Sequence, residues 1–270
     1  MRADLAVSPD WIADNLDDPS LLVVEVDVSP DSYEKGHIPG AVIWDTYRDL
    51  RHPDYTPADP DEIDAVLSRF GVTPETTLVF YGYAPYLGLW LMDRHGHERI
   101  RVMDGPRERW GAAGHRWSTD VPQTEASVYV RSAERTALVV GRREVEAMLG
   151  DDDTRLVDVR SSEEFTGERF WPSGATEGAG RAGRLPGAIH VPVELAQMED
   201  GSLADGQVLR RECERLGINP EHKIVTYCTI GNRASLVAFA LMHQLGYSDV
   251  SVYYGSWSEW GSRPDAPVEK

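Results

Sequence analysis

The chain has 270 residues, of which 27 are basic and 45 acidic, and its formal net charge is −18. A field of that sign repels nucleic acids and anionic membranes, so we expect neither as a partner. No apolar run is long enough to cross a membrane, and the first residues turn acidic without an apolar signal-peptide core, which predicts a cytoplasmic protein.

The first half of the chain predicts helices that alternate with short buried strands. Ser8 followed by Pro9 has the form of a helix N-cap with proline at the first helical position. The apolar, β-branched runs at 21–26 and 77–81 are typical of strands that are buried on both faces. Strands separated by helices indicate an α/β fold with a parallel sheet covered on both sides.

The second half repeats the sequence pattern of the first half. VEV at 24–26 resembles VDV at 157–159, and RWG at 109–111 resembles EWG at 259–261. Further blocks recur between these in the same order. A repeat of this length and regularity indicates a duplicated domain.

The two copies are joined by a stretch without strand character. Residues 112–136 are rich in Gly, Pro, Ser, Thr and Gln. We therefore expect an N-terminal domain over residues 1–118, a linker over 119–137 and a C-terminal domain over 138–270.

The loop over 228–233, with the sequence Cys-Thr-Ile-Gly-Asn-Arg, is the candidate site. It lies between a strand predicted at 224–227 and an apolar helix predicted at 234–245. Open α/β sheets bind their ligands at the carboxyl ends of their strands. Converging backbone N–H groups and the helix N-terminus there favour the thiolate form of Cys228.

Further residues of this loop separate Cys228 from a structural cysteine. Free cysteines are commonly buried and inert. Here Gly231 allows the backbone to curl, and Arg233 adds a charge that does not titrate. We interpret Cys228 as functional. Cys213 lies on the apolar face of a predicted helix and is expected in the core, so no disulfide framework is predicted.

The two halves also carry recognisable signatures. YEKGHIPGA at 33–41 and GSWSEW at 255–260 are similar to the N- and C-terminal signatures of rhodaneses. Over nearly its full length the chain resembles the tandem-domain rhodaneses, which are thiosulfate and mercaptopyruvate sulfurtransferases. The resemblance implies two rhodanese-like α/β domains, each a parallel sheet with helices on both faces. It also implies a persulfide on Cys228 and an active loop over 228–233.

The resemblance also implies the groups that bind the substrate. Arg160, which directly follows VDV in the second copy, supplies positive charge to the sulfur-bearing anion. As an isolated arginine it would instead pair with Glu163 or Glu164. The expected substrate contacts are Arg160, Thr229, Ile230, Gly231, Asn232 and Arg233. No metal and no cofactor is implied, because the histidines lack metal-ligand spacing.

The loop departs from the family pattern at two positions. Related chains generally carry arginine at the position of Thr229 and glutamate at that of Asn232. Because the loop does not resemble that of the mercaptopyruvate branch, we expect thiosulfate as the small anionic donor. A thiol or cyanide is the expected acceptor.

The first copy lacks the nucleophile. Gly82 stands at the position of Cys228, so the N-terminal domain is expected to be inactive and to wall the cleft. Tyr83 and Tyr86 follow it and are candidates for a substrate contact. The alternatives are a 3-mercaptopyruvate sulfurtransferase, a rhodanese-related cysteine phosphatase and a non-catalytic scaffold. Arg233 follows Cys228 by five positions, one fewer than in the phosphatases, which favours sulfur transfer.

The acidic composition itself has two explanations. The lysines are Lys35, Lys223 and Lys270, and the other basic residues are arginines. An acidic surface poor in lysine is typical of adaptation to high salt, where dense ions screen self-repulsion. A GC-rich genome favours arginine over lysine as well, and the sequence leaves both explanations open.

Overall fold

The computed structural model describes residues 5–169 and 180–270. Its first half contains a five-stranded parallel sheet with the strand order β1-β5-β4-β2-β3. The strands are β1 (Ala6–Val7), β2 (Leu21–Asp27), β3 (Val42–Asp45), β4 (Thr77–Gly82) and β5 (Ile100–Met103). The helices are α1 (Pro9–Asp14), α2 (Asp31–Lys35), α3 (Pro60–Arg69), α4 (Pro85–Arg94) and α5 (Arg109–Ala112).

The second half repeats this arrangement in the order β6-β10-β9-β7-β8, again with parallel strands. The strands are β6 (Val139–Val140), β7 (Thr154–Asp158), β8 (Ile189–His190), β9 (Lys223–Tyr227) and β10 (Val250–Tyr253). The helices are α6 (Arg142–Met148), α7 (Ser162–Thr166), α8 (Gly206–Arg215), α9 (Asn232–Phe239) and α10 (Ser256–Gly261). Short 3-10 turns cover Thr136–Leu138 and Val193–Leu195, and a π-helical turn covers Ala240–Gln244.

Both faces of each sheet are covered. Along β4, Val79 and Tyr81 belong to one apolar cluster, whereas Leu78 and Phe80 belong to another. Alternate side chains of a strand point to opposite faces, so each face of the first sheet packs into a core of its own. The predicted α/β fold with two parallel sheets is confirmed.

Helix boundaries follow the sequence signals closely at α1 and less closely at α9. The Ser8 side chain accepts a hydrogen bond from the Trp11 N–H, as an N-cap does. The apolar helix predicted at 234–245 begins at Asn232 and changes to a π-helical turn after Phe239. Gly246, at φ +78°, ends it.

The two halves share one core. The central helices α4 and α9 pack against each other, and the rings of Tyr86 and Phe239 lie 5.1 Å apart. The Tyr254 hydroxyl donates to the Leu50 carbonyl at 2.9 Å across the same boundary. The C-terminal ends of the two central strands, β4 and β9, therefore lie beside this shared core.

The connection between the halves follows the surface. Residues 113–135 contain no helix, and Ser118 forms an isolated bridge with His37. The domain boundaries at 118/119 and 137/138 stay predictions. Among the residues that the structure describes, no helix combines the length and apolarity that crossing a bilayer requires.

Candidate active site

The loop after β9 wraps around the Cys228 sulfur. Its Sγ atom accepts a hydrogen bond from the Gly231 N–H at 3.1 Å. Gly231 has φ +89°, and a Cβ atom there would lie 3.1 Å from the Tyr254 carbonyl oxygen. Glycine therefore suits this position both because of its backbone conformation and because of the close approach of a second chain segment.

The segment at the start of α10 holds the base of the loop. The Ser256 hydroxyl accepts from the Cys228 N–H at 3.2 Å. The N–H groups of Trp257 and Ser258 donate to the carbonyls of Cys228 and Thr229, each at 3.0 Å. These bonds fix the base of the turn in which the Gly231 N–H donates to the sulfur.

Arg233 is paired with a carboxylate that lies behind the loop. Its Nη1 and Nη2 atoms lie 2.8 and 3.0 Å from the two oxygens of Glu164, and Thr229 donates its hydroxyl to the same carboxylate at 2.8 Å. Burial alone would raise the pKa of Glu164, but the hydrogen bonds and charge of Arg233, together with Thr229, hold it below its ordinary value. Glu164 thus carries a buried negative charge.

The role of Glu164 is absent from the sequence predictions, which name it only as a potential partner of Arg160. The available signal was Ser161 followed three residues later by Glu164, a capping box that the structure contains. That pattern marks the start of α7. It does not reveal that the carboxylate reaches residue 233, because the contact joins two distant parts of the chain.

Arg160 lies beneath the site and is fully buried. Its guanidinium contacts Asp158, with an Nη2–Oδ2 distance of 2.6 Å, and donates to the Gly183 carbonyl at 2.7 Å. The Trp257 ring centroid lies 4.8 Å from it. Its Nη1 atom has no hydrogen-bond partner within residues 5–169 and 180–270. The structure thus does not place Arg160 at an open surface, and its contact with substrate stays a prediction.

The remaining predicted contacts divide between core and cleft. Ile230 is 8% exposed and Thr229 2% exposed, so both side chains lie largely within the protein. Asn232 and Arg233 line a cleft between the two halves. Of the predicted loop contacts, these two residues belong to the cleft lining, although the amide atoms of Asn232 are covered.

The cleft has a volume of about 450 Å³ and is walled by both halves. From the first half come Gly82, the last residue of β4, and Tyr83 and Tyr86, which follow it. The Tyr83 side chain is exposed at its edge. The expectation that the first half walls the cleft is therefore consistent with its geometry.

The first half contains buried groups like those beneath the active loop, but it has no cysteine at the position of Cys228. Tyr81 donates to the buried carboxylate of Glu25, as Tyr227 donates to Asp158 at 2.7 Å. Arg107, which comes from the loop after β5, lies 2.8 Å from Glu25 through its Nε atom. A buried tyrosine, carboxylate and arginine thus recur under both central turns.

One group of potential metal ligands occurs among the described residues. The side chains of His52, Asp59 and Glu62 bring one ligand atom each within 4.8 Å of one another. His52 already pairs with Glu62 at 2.7 Å, and both acidic groups are exposed. Such surface groups are common without a metal, and the predicted absence of a metal and a cofactor stays a prediction.

Comparisons with known proteins give a consistent result. A family model described as a rhodanese-like domain matches residues 8–113 and again residues 142–263. The sulfur carrier protein TtuD of Thermus thermophilus is 36% identical over 279 residues, which cover 99% of this chain and 97% of that one. A Mycobacterium tuberculosis chain provisionally named thiosulfate sulfurtransferase SseA is 38% identical over 274 residues, covering 97% and 89%.

Solved structures agree in fold. An anaerobic ergothioneine biosynthesis enzyme from Chlorobium limicola, in complex with trimethyl histidine, matches with a TM-score of 0.87 at 29% identity. The match covers 98% of this chain and 70% of that one. A structure of EanB with the same scores holds ergothioneine covalently linked with a cysteine persulfide.

Proposed function

The chain belongs to the rhodanese family and contains two copies of its domain, and from this premise we propose that it transfers the sulfane sulfur of thiosulfate to cyanide or a thiol. The sulfur is carried as a persulfide on Cys228. The observation that carries the proposal is the Gly231 N–H directed at the Cys228 sulfur from 3.1 Å. The sulfurtransferase and sulfur-carrier names of relatives that span nearly the whole chain support it.

The reaction is a double displacement. The Cys228 thiolate attacks the outer sulfur of thiosulfate, the sulfur–sulfur bond of thiosulfate breaks, and its electron pair leaves with sulfite. The enzyme keeps a persulfide, and the total charge of three negative units is unchanged by this step. The Gly231 N–H stabilises the sulfur anion as an oxyanion-hole donor stabilises oxygen.

The donor anion meets positive charge from the loop. Arg233 lines the cleft and keeps its positive charge at every pH of the assay. Arg160 lies deeper, and its buried Nη1 atom is the group that would have to reach a bound anion. We retain both as substrate-binding residues of the proposal, together with the backbone of Thr229, Ile230 and Gly231 and the side chain of Asn232.

The test is intact-protein mass spectrometry after incubation with thiosulfate. We expect the wild type to gain about 32 Da, one sulfur atom, and cyanide to remove it as thiocyanate. Cys228→Ser should abolish both steps. Cys213→Ser is the matched control and should change neither, because Cys213 is buried in α8 with a pKa raised by burial to about 11.

Two further results decide among the alternatives. A kcat/KM for 3-mercaptopyruvate above that for thiosulfate would assign the chain to the mercaptopyruvate branch. Hydrolysis of an aryl phosphate at a rate comparable to thiocyanate formation, lost in Cys228→Ser, would make it a phosphatase. A Cys228→Ser protein that still forms thiocyanate would refute the proposal outright.

A further inference from the structure

A buried tyrosine anchors the linker to the first half. Tyr129 is 6% exposed, although its neighbours Val128 and Val130 are 84% and 67% exposed. Its ring packs against two histidines that follow α4, with centroid distances of 5.9 Å to His95 and 5.8 Å to His97. Both histidines are 2% exposed. Tyr129, His95 and His97 together form what we call the linker anchor.

Backbone hydrogen bonds dock the chain on either side of the linker anchor. The Ser127 N–H donates to the Ser68 carbonyl at 2.9 Å, and the Tyr129 N–H donates to the Ser68 hydroxyl at 3.0 Å. The Arg135 N–H donates to the Arg94 carbonyl at 2.8 Å. Because Ser68 and Arg94 belong to the last turns of α3 and α4, these N–H groups are protected from water as long as the linker is docked there.

The hydrogen bonds of the linker anchor suit a neutral His97. Its Nε2 atom lies 2.8 Å from the Thr76 carbonyl oxygen, which can only accept, so Nε2 carries a hydrogen. Its Nδ1 atom lies 2.9 Å from the Tyr129 hydroxyl, whose pKa is raised to about 12 by burial. The hydroxyl therefore keeps its proton and donates to Nδ1. A second proton on His97 would have to occupy the place of this hydrogen bond.

Both histidines resist protonation while the linker is docked. Burial lowers the pKa of His95 and that of His97 below the ordinary value of about 6.5. At His95 it outweighs the attraction of the Asp64 carboxylate, whose Oδ1 atom lies 2.7 Å from Nε2. Since Tyr129 covers both rings, release of the linker rehydrates them. The released form then binds protons that the docked form excludes, so docking is strongest above about pH 6.5 and weakens as pH falls below it.

The other charged groups near the histidines form ion pairs that do not share this pH dependence. They come from α3, from the linker and from the chain around the end of α4, and they are Asp61, Asp64, Asp93, Arg94, Arg99, Arg131, Glu134 and Arg135. Carboxyl groups ordinarily titrate near pH 4. Between pH 7.5 and pH 5.5 these pairs therefore hold the linker with constant strength, and the change comes from the histidines.

We propose that the linker anchor is a pH-sensitive switch, which docks the linker on the first half at neutral pH and releases it when His95 and His97 become protonated. The switch goes beyond sulfur transfer, because it uses no residue of the active loop. Helix α4 begins at the cleft, packs against α9 along its length and ends at the linker anchor. Release therefore frees the connection between the halves at the end of α4 that is remote from the cleft.

Hydrogen exchange of the full-length wild-type protein, followed by mass spectrometry, tests the switch. The quantity compared is the protection factor, the intrinsic exchange rate divided by the observed rate, which removes the pH dependence of exchange itself. We expect the protection factor of residues 127–135 to fall by about tenfold to a hundredfold between pH 7.5 and pH 5.5, about tenfold for each histidine over the pH unit below 6.5. The protection of β4 should change much less.

Glutamine variants separate the titration of the histidines from their shape. A glutamine amide donates from Nε2 as a neutral imidazole does, but it does not titrate. We expect the double variant His95→Gln, His97→Gln to keep the same protection of residues 127–135 at both pH values. His222→Gln is the matched control, because His222 contacts Arg155 in the second half, and this variant should lose protection as the wild type does.

A third variant keeps the test decisive if the glutamine variant does not fold. Tyr129→Leu removes both the ring and the hydroxyl of the linker anchor, so at pH 7.5 its residues 127–135 should exchange as those of the wild type do at pH 5.5. Equal protection of the wild-type segment at both pH values would overturn the inference. So would a fall in the double glutamine variant as large as that in the wild type, or full protection in Tyr129→Leu at pH 7.5.

Discussion

Glu164 is the residue on which the shape of the active loop depends. It is fully buried, and it accepts hydrogen bonds from Thr229 and Arg233, the second and last residues of the loop. The Ser161 N–H also donates to it at 3.2 Å. A buried carboxylate loses its hydration, and only partners with good geometry compensate for that loss. Glu164 therefore fixes both ends of the loop from behind.

Replacing Glu164 by glutamine tests this role. The amide keeps one acceptor oxygen and removes the charge opposite Arg233. We expect Glu164→Gln to lower the free energy of unfolding at neutral pH by about 2 kcal/mol, the size of a hydrogen bond to a charged group. Urea unfolding measures the change. Glu163→Gln is the matched control, because Glu163 is exposed and should change stability little.

The effect of Glu164→Gln should depend on pH. The folded pKa of Glu164 is depressed, so its contribution to stability is present above the unfolded pKa and is lost as pH falls through the folded value. The stability difference between wild type and variant should therefore shrink as the solution is acidified below about pH 4, the ordinary range for glutamate. A difference that stays constant down to acid pH would mean that Glu164 is not charged in the folded protein.

Among the elements, the turns after β4 and β9 occupy equivalent places and differ in chemistry. Counted from the aligned Tyr81 and Tyr227, Gly82 corresponds to Cys228 and Pro85 to Gly231. Gly231 supplies the N–H that binds the sulfur, whereas proline has no N–H. The first turn therefore lacks both the nucleophile and the donor that stabilises it.

Restoring a cysteine in the first turn should not create a second active site. Gly82 has φ +108°, and a Cβ atom there would lie 2.8 Å from the Val26 carbonyl oxygen. We expect the double variant Gly82→Cys, Cys228→Ser to acquire no sulfur from thiosulfate and to be destabilised by about 1–2 kcal/mol, the cost of a side chain in a left-handed conformation. Mass spectrometry and urea unfolding measure the two effects.

Gly82→Ala is the control for this variant, because it adds the same strain without a thiol. Both proteins should unfold at similar urea concentrations, which shows that the cysteine variant is folded when it is assayed. A persulfide at residue 82 formed at a rate near that of wild-type Cys228 would show that the first turn keeps a working anion site.

The order of elements could be predicted because it depends on local pattern. The β-branched runs that became β2, β4, β7 and β9, and the Ser8 cap of α1, are visible in short windows of sequence. The π-helical turn at Ala240–Gln244 has no such signal, since its first three residues, Ala, Leu and Met, continue the mostly apolar run of α9. The ends of elements were accordingly less predictable than their existence.

The site could be predicted in part for the same reason. Cys228, Gly231 and Arg233 lie within one loop whose flanking strand and helix can be recognised from sequence. The pairing of Arg233 with Glu164 and the burial of Arg160 depend on contacts between distant segments. A single sequence does not encode such contacts in any local pattern.

On the scale of the whole molecule, the cleft exists because two related halves face each other. Helices α4 and α9 pack across the boundary, so the residues that begin each helix meet around one space. Tyr86 from one copy and Asn232 from the other thereby line the same cleft. The first copy has Gly82 in place of the cysteine, and what it contributes to the site is part of the cleft lining.

The net charge acts on the molecule as a whole. A charge of −18 on 270 residues repels itself in the folded state. The opposing ion pairs are mostly at the surface, where each contributes about 0–1 kcal/mol and weakens in salt. The exceptions, such as Arg160 with Asp158, are buried and screened little. Self-repulsion should therefore be the larger salt-sensitive contribution.

We expect the melting temperature at pH 7.5 to rise by about 3 °C or more between dilute buffer and 1 M KCl, since the screening length falls from more than about 10 Å to about 3 Å. Near pH 5, close to the sequence pI of about 4.8, the net charge is small and the rise should largely disappear. Calorimetry at both pH values measures this.

A rise confined to pH 7.5, with thiocyanate formation that also needs salt, favours adaptation to high salt. If neither the melting temperature nor the activity increases when salt is added to dilute buffer, self-repulsion is not the dominant salt-sensitive contribution. That result favours a GC-rich genome as the source of the arginine-rich composition.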